Sequence, residues 1–158
     1  MGYDEWYELV TIKDPAAGSA VTRKIPGETF ERLVTFRYKL VTSAVVGSRF
    51  PAMSILDGDG NIVIHVESNV AVGASATSFM NFFVGAGGAV YVSSGDNTAP
   101  IPDMVMPPGF QVQGTVTQQL AGDQISLAKL YVCRYPSARW ASSPGSSPYS
   151  PETEMDRG

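Results

Sequence analysis

Apolar residues in this chain return at every second position and almost never at every third or fourth. In RLVTFRYKL, Val34, Phe36, Tyr38 and Leu40 alternate with Thr35, Arg37 and Lys39, the pattern of a strand with one dry face and one wet face. FQVQGTVT repeats it, with Phe110, Val112 and Val116 set against Gln111, Gln113, Thr115 and Thr117. NIVIHV does so with Ile62, Ile64 and Val66. DQISLAKLYVCRY is longer, and its apolar residues change parity after Leu127, which predicts a β-bulge there. Glu8–Lys13, Pro51–Leu56, Thr77–Val84 and Ala89–Ser93 bring the set to about eight strands. The 16 glycines and 11 prolines are too frequent for long helices. Pro26-Gly27, Gly87-Gly88 and Pro108-Gly109 supply turns between the strands. The expected fold is all-β: a two-sheet sandwich, read as an eight-stranded jelly roll.

SILDGDGNIVIHV, Ser54 to Val66, poses the first chemical question, because Asp57, Asp59 and Asn61 alternate with glycines as calcium ligands do. An EF-hand loop needs glycine at its sixth position and a bidentate glutamate at its twelfth. Counted from Asp57, those positions are Ile62 and Ser68. The apolar run from Ile62 also leaves no room for a wrapping loop. Asp-Gly between two apolar runs is hairpin chemistry, since glycine accepts positive φ and aspartate bonds nearby backbone. The segment reads as a hairpin turn, and no metal or cofactor is expected.

A chain of 158 residues can bury a sizeable core in one domain. The division expected is a sandwich with an N-terminal extension over residues 1–135 and a tail over 136–158. The tail, PSARWASSPGSSPYSPETEMDRG, is rich in Ser and Pro. It holds too little apolar surface to offset the entropy of ordering, so it reads as disordered or bound to a partner. Trp140 and Tyr149 are its candidate anchors. Ser93 to Gly109 reads as a long loop whose Ile101, Met104 and Met106 are candidate interface residues.

Composition narrows the partners. A net charge of −4 argues against nucleic acid, and Arg23-Lys24, like Arg32, Arg37 and Lys39, reads as part of a solvated strand face. No run approaches the ~18 apolar residues of a membrane span. The start lacks a basic region followed by an apolar run, which implies synthesis in a cytoplasm. Trp6 stands where a myristoylation signal needs Ser or Thr. Cys133 is the sole cysteine, so neither an internal disulfide nor a cysteine-based zinc site can form.

Few residues are of the types a reaction centre needs. His65, the only histidine, shares a strand face with Glu67. That pairing fits a surface contact better than a catalytic dyad, and no nucleophile elbow accompanies it. Gly85 to Gly88 lacks the Lys and Ser/Thr of a phosphate loop. Asp57, Asp59, Asp96, Asp103 and Asp123 all stand beside turn residues, which explains them without a glycosidase pair. Cys133 follows apolar residues and reads as a buried, inert thiol. Trp6 and Trp140 fit anchoring as well as sugar stacking. The expectation is a protein that is not an enzyme.

The order of four segments carries a resemblance. LVTSAVVGSRFPAMSILDGDGN is followed by GASATSFMNFF, MPPGFQV and GDQISLAKLYV. From Phe30 to Val132 this succession resembles small β-sandwich proteins among the virion structural proteins of tailed bacteriophages. The resemblance implies a capsid decoration or cement subunit, made in the bacterial cytoplasm and carried on the capsid surface. Its implied partners are the major capsid protein and its own copies, as a homotrimer. Alternatives are a head–tail connector, neck or tail-fibre module, or a carbohydrate-binding jelly roll. The resemblance assigns no catalytic residue. Arg49, after its Val-Gly turn, is expected to bond loop carbonyls and hold a corner.

Overall fold

The computed structural model describes residues 5–85, 91–93 and 96–136. Among them are eleven strands: β1 (Trp6–Thr11), β2 (Val21–Lys24), β3 (Thr29–Val41), β4 (Phe50–Leu56), β5 (Ile62–Glu67), β6 (Thr77–Val84), β7 (Tyr91–Ser93), β8 (Asp96–Ile101), β9 (Val105–Met106), β10 (Gln111–Thr117) and β11 (Gln124–Pro136).

The turn at Asp57–Asn61 is the tip of a hairpin that organises the chain. Moving outward from it, β4 pairs with β5, β3 with β6, β2 with β10 and β1 with β11, all antiparallel. Successive pairs alternate between two sheets, and the β3–β11 and β4–β10 ladders knit each sheet together. One sheet runs β1-β11-β3-β6-β8-β7, and the other runs β2-β10-β4-β5. A long hairpin rolled up in this way is a jelly roll. The three strands β7, β8 and β9 are an insertion between β6 and β10. β8 lies parallel to β6, β7 pairs with β8, and β9 pairs with β3 at Glu31 and Arg32.

The expected sandwich is therefore present, with differences in its parts. Val21–Lys24 is a strand that the alternation did not reveal, because only Val21 of its four residues is buried. Ser93 to Gly109 is not one long loop, since β8 and β9 occupy eight of its 17 residues. Asn97, Ala99 and Ile101 of β8 alternate inward, but alanine and asparagine make a faint apolar signal.

Bulges set which residues reach the core. In β11 the register steps between Ser126 and Lys129, and Leu127 takes φ 52°. The bulge expected after Leu127 is there, and it turns Ala128, Leu130 and Val132 inward. A second step, from Tyr131↔Thr35 to Val132↔Leu33, leaves Val34 unmatched in β3. Leu33 rather than the expected Val34 is the buried residue. The same shift of parity carries Glu31 into the interior.

Between the sheets, Phe36 stacks on Phe82 at 6.1 Å and tilts against Tyr38 at 5.5 Å. Such pairs contribute roughly 0.5–1.5 kcal/mol each beyond area burial. The Tyr38 hydroxyl crosses the sandwich to the carbonyls of Ala52 and Thr115, at 3.0 and 2.9 Å. Gly114 makes room for it: a Cβ there would stand 2.7 Å from Val21, 3.0 Å from Phe36 and 3.1 Å from Tyr38.

Candidate interaction face

The outward side of the larger sheet is the most distinctive surface. The inward residues of β1, β11, β3 and β6 supply the core, so their neighbours in sequence face solvent. Register places Leu9 beside Tyr131, Tyr131 beside Thr35, and Thr35 beside Phe83. The next row holds Thr11, Lys129, Arg37 and Asn81. Tyr7 stacks on Tyr131 at 5.6 Å. Leu9, Tyr7, Leu127 and Tyr131 are 58%, 56%, 54% and 40% exposed, on one face. Tyrosine, arginine and aliphatic residues gathered this way are the composition of an interaction surface. Beside them, Thr35, Arg37, Asn81, Phe83, Asp96 and Thr98 rim a depression of about 350 Å³.

Buried ion pairs brace this sheet at both ends of β3. At its start, the Glu31 carboxylate accepts from Arg23 of β2 in the opposite sheet (Nη2 to Oε1, 2.6 Å) and from Arg134 of β11 (2.9 Å). Arg23 Nη1 and Glu31 Oε2 also pair, as do Arg134 and Glu8 of β1. Arg23 is thus a bridge between sheets, not part of the solvated face that its neighbour Lys24 suggests. Beyond the end of β3, Arg49 donates to Asp123 through Nε (3.0 Å) and Nη2 (3.2 Å), with both side chains fully buried. Arg49 also donates to the Gly47 carbonyl (2.8 Å) and to Ser43 Oγ (3.1 Å), so it holds the corner as expected. Burial pushes the Asp123 carboxyl up, but Arg49 and the N–H groups of Ser43 and Leu120 outweigh it and hold it at about 2.

The opening turn closes on itself. Asp57 Oδ1 accepts the N–H groups of Asp59 and Asn61, both at 2.9 Å, and Gly60 takes φ 85°. Those bonds hold the Asp57 carboxyl below the usual range. His65 stands across from Ser54 of β4, with Nδ1 and Oγ 2.9 Å apart, and its Nε2 lies 3.7 Å from Glu67. Sequence reasoning paired His65 with Glu67 but missed Ser54, which only strand register brings near. As a nucleophile Ser54 is badly placed, being 2% exposed, and Glu67 already accepts from the Thr117 hydroxyl. Cys133 is buried. Asp103 forms a two-point ion pair with Arg32 (2.6 Å for each bond), and Asp123 is the buried carboxylate described above.

Of the five interface candidates in the sequence, Ile101 and Met106 are buried in the chain's own core, and Met104 packs against it. Ile101 and Met106 thus offer no free surface, whereas Met104 is half-buried. Trp140 and Tyr149, with the rest of the tail after Pro136, lie outside the described residues, as do Ala86 to Gly88. The face that does stand exposed was legible in one respect. β1 and β11 carry apolar residues at both parities, as in WYELV and LYV, which a strand with one wet face does not need.

No protein-family model and no curated protein matches the chain. Solved structures of similar fold come from infectious bursal disease virus. The viral particle gives a TM-score of 0.37 at 11% identity, covering 82% of this chain and 31% of that one. T=1 particles derived from the virus give 0.36 at 13%, covering 82% and 31%. The VP2 subviral particle gives 0.33 at 12%, covering 83% and 32%. The chain spans about a third of the length of these structures, and the likeness to a viral capsid protein is distant.

Proposed function

We propose that this chain is a non-enzymatic virion structural protein of a tailed bacteriophage, a decoration or cement subunit that binds the assembled head and stabilises it. One observation carries the reading. A jelly roll covers only its inner faces, yet the larger sheet turns Tyr7, Leu9, Leu127 and Tyr131 outward together. The segment resemblance from Phe30 to Val132 supplies the virion context. In this reading the major capsid protein and sister copies cover the exposed face, and binding to the assembled shell stabilises it by linkage.

The test is direct. Purified protein is added to heads lacking it, and the particles are imaged and melted. Ordered copies on the shell and a higher melting temperature are expected. Heads that bind none, or bind without any gain in stability, overturn the proposal. Light scattering of the free protein is expected to give a mass near three times 16.8 kDa. A ring of six or twelve would favour a connector instead. A second reading, carbohydrate binding, draws on the depression beside Phe83, where Arg37, Asn81 and Thr98 set polar groups around an aromatic ring. Glycan-array binding at that site, with no affinity for heads, would replace the first reading by the second.

A further inference from the structure

Four arginines of the sandwich are neutralised. Arg23 and Arg134 share Glu31, Arg49 has Asp123, and Arg32 has Asp103. Arg37, Lys39 and Lys129 differ: none has a carboxylate within ion-pair distance among the described residues. Arg37 lies instead over the Phe79 ring, 4.6 Å from its centroid. All three project from the outer face of the larger sheet. Lys129 and Arg37 are cross-strand partners, and Lys39 follows Arg37 by two residues, about 6.7 Å along the same face. Asp14 accepts the Leu127 N–H (2.9 Å), and Asp96, at the start of β8, shares the rim of the depression with Arg37. In a chain of net charge −4, this is a cationic patch bordered by tyrosines.

The complement is present in the same sequence, beyond β11. PETEMD sets Glu152, Glu154 and Asp156 at alternate positions. An extended segment turns alternate side chains to one side, again about 6.7 Å apart, which is the spacing of Arg37 and Lys39. Tyr149 precedes the acidic run, as an aromatic with a polar tip suited to a surface that already holds Tyr131 and Leu9. The 13 residues from Pro136 to Tyr149 can span up to about 45 Å, enough to reach an adjacent subunit.

We infer that the segment Tyr149–Asp156 of one copy docks on the outer face of the larger sheet of a second copy, its carboxylates set on Arg37, Lys39 and Lys129. The inference rests on the assembly reading above and specifies its contact. Tail and face are different patches, so the interface is heterologous. Repeated around an axis, it closes a ring, and a trimer is such a ring. Exposed ion pairs are individually weak and screened by salt, so the association should weaken as salt rises.

Full-length variants test it by exchange of charge. R37E/K39E/K129E reverses the face, E152K/E154K/D156K reverses the tail, and a third protein carries both. Light scattering over a concentration series is expected to show oligomers for wild type and at least tenfold weaker association for either single reversal. The doubly reversed protein should recover association. Should a reversed protein melt well below wild type, the glutamine variants E152Q/E154Q/D156Q and R37Q/K39Q/K129Q repeat the comparison without repulsion. A monomeric wild type, a face reversal that leaves the mass unchanged, or a double reversal no better than the singles overturns the inference. The assay contains no heads, so the two proposals fail separately. Charge rescue in a protein that never binds heads would sink the virion assignment alone, whereas head binding by a monomeric wild type would sink the tail contact alone.

Discussion

Replacing Asp123 by asparagine keeps the shape of the side chain and removes its charge. The native carboxylate receives only donors: the N–H of Ser43 (2.8 Å), the N–H of Leu120 (2.8 Å), and Nε and Nη2 of Arg49. Whichever way the asparagine amide turns, its NH2 must face one of them. Arg49, fully buried, would then hold a positive charge with no counter-charge. Stranding one partner of a buried pair costs about 3–5 kcal/mol. Arg49 keeps the Gly47 carbonyl and Ser43 Oγ, which favours the lower end, about 3 kcal/mol. With a urea slope of about 2 kcal/mol per molar, the midpoint should fall by roughly 1.5 M.

Acid supplies an internal control. The Asp123 carboxyl sits at about 2 in the folded protein against 3.8 ordinarily. A depressed carboxyl contributes stability that is present above the unfolded value and lost as pH falls through the folded one. At 1.36 kcal/mol per pH unit of displacement, wild type should lose about 2 kcal/mol from this group between about pH 4 and pH 2. Asp123→Asn has no such group to protonate. The gap between the two proteins should therefore be widest at pH 7 and narrow towards pH 2. A loss below about 1 kcal/mol at pH 7, or a gap unchanged with pH, would mean that the Asp123 charge does not hold Arg49 in the folded protein.

Three further outcomes can be measured by chemical or thermal unfolding. Gly114→Ala pushes a methyl into Val21, Phe36 and Tyr38 and should cost about 1–3 kcal/mol. A neutral result would mean that the two sheets stand further apart than described. Leu33→Ala should cost about 2–5 kcal/mol and Val34→Ala less than about 1, because the bulge puts Leu33 in the core. The reverse order would remove the bulge. Gly60→Val should be worse than Asp59→Ala, since Gly60 takes φ 85° whereas Asp59 gives the turn only its backbone N–H. Millimolar calcium should leave the melting temperature unchanged, and a rise of several degrees would make the turn a metal site.

The parts legible in the sequence are those that depend on neighbours along the chain. Alternation marked β3, β5, β10 and β11, the runs Glu8–Lys13, Pro51–Leu56 and Thr77–Val84 anticipated β1, β4 and β6, and the Asp57–Gly60 turn declared itself by its residue types. The parity change after Leu127 located a real bulge. Illegible were features set by distant strands. Val34 fits the alternation as well as Leu33 does, and only the mismatch with β11 decides between them. Glu31 looks like an ordinary wet-face residue until that shift turns it inward, where Arg23 arrives from the other sheet and Arg134 from the far end of the chain. Within the insertion, β7 falls in the expected strand Ala89–Ser93, whereas β8 and β9 eluded the pattern because their apolar residues are sparse.

The candidate face shows the same division from the other side. In a two-sheet sandwich only inward side chains work for the fold, and alternation is the signature of that need. Leu33, Phe36, Tyr38 and Leu40 obey it. Tyr7, Leu9, Leu127 and Tyr131 do not, for they lie on strands whose inward positions are already filled by Val10, Ala128, Leu130 and Val132. Isolated exposed apolar residues need no explanation, but four on one face, two of them stacked, are costly to leave in water. Lys129 and Arg37 in the adjacent row add charges with no carboxylate partner among the described residues. Neither the apolar nor the cationic set contributes to closing the sandwich, and in the assembly proposed above both are covered by the surface that lies against this sheet.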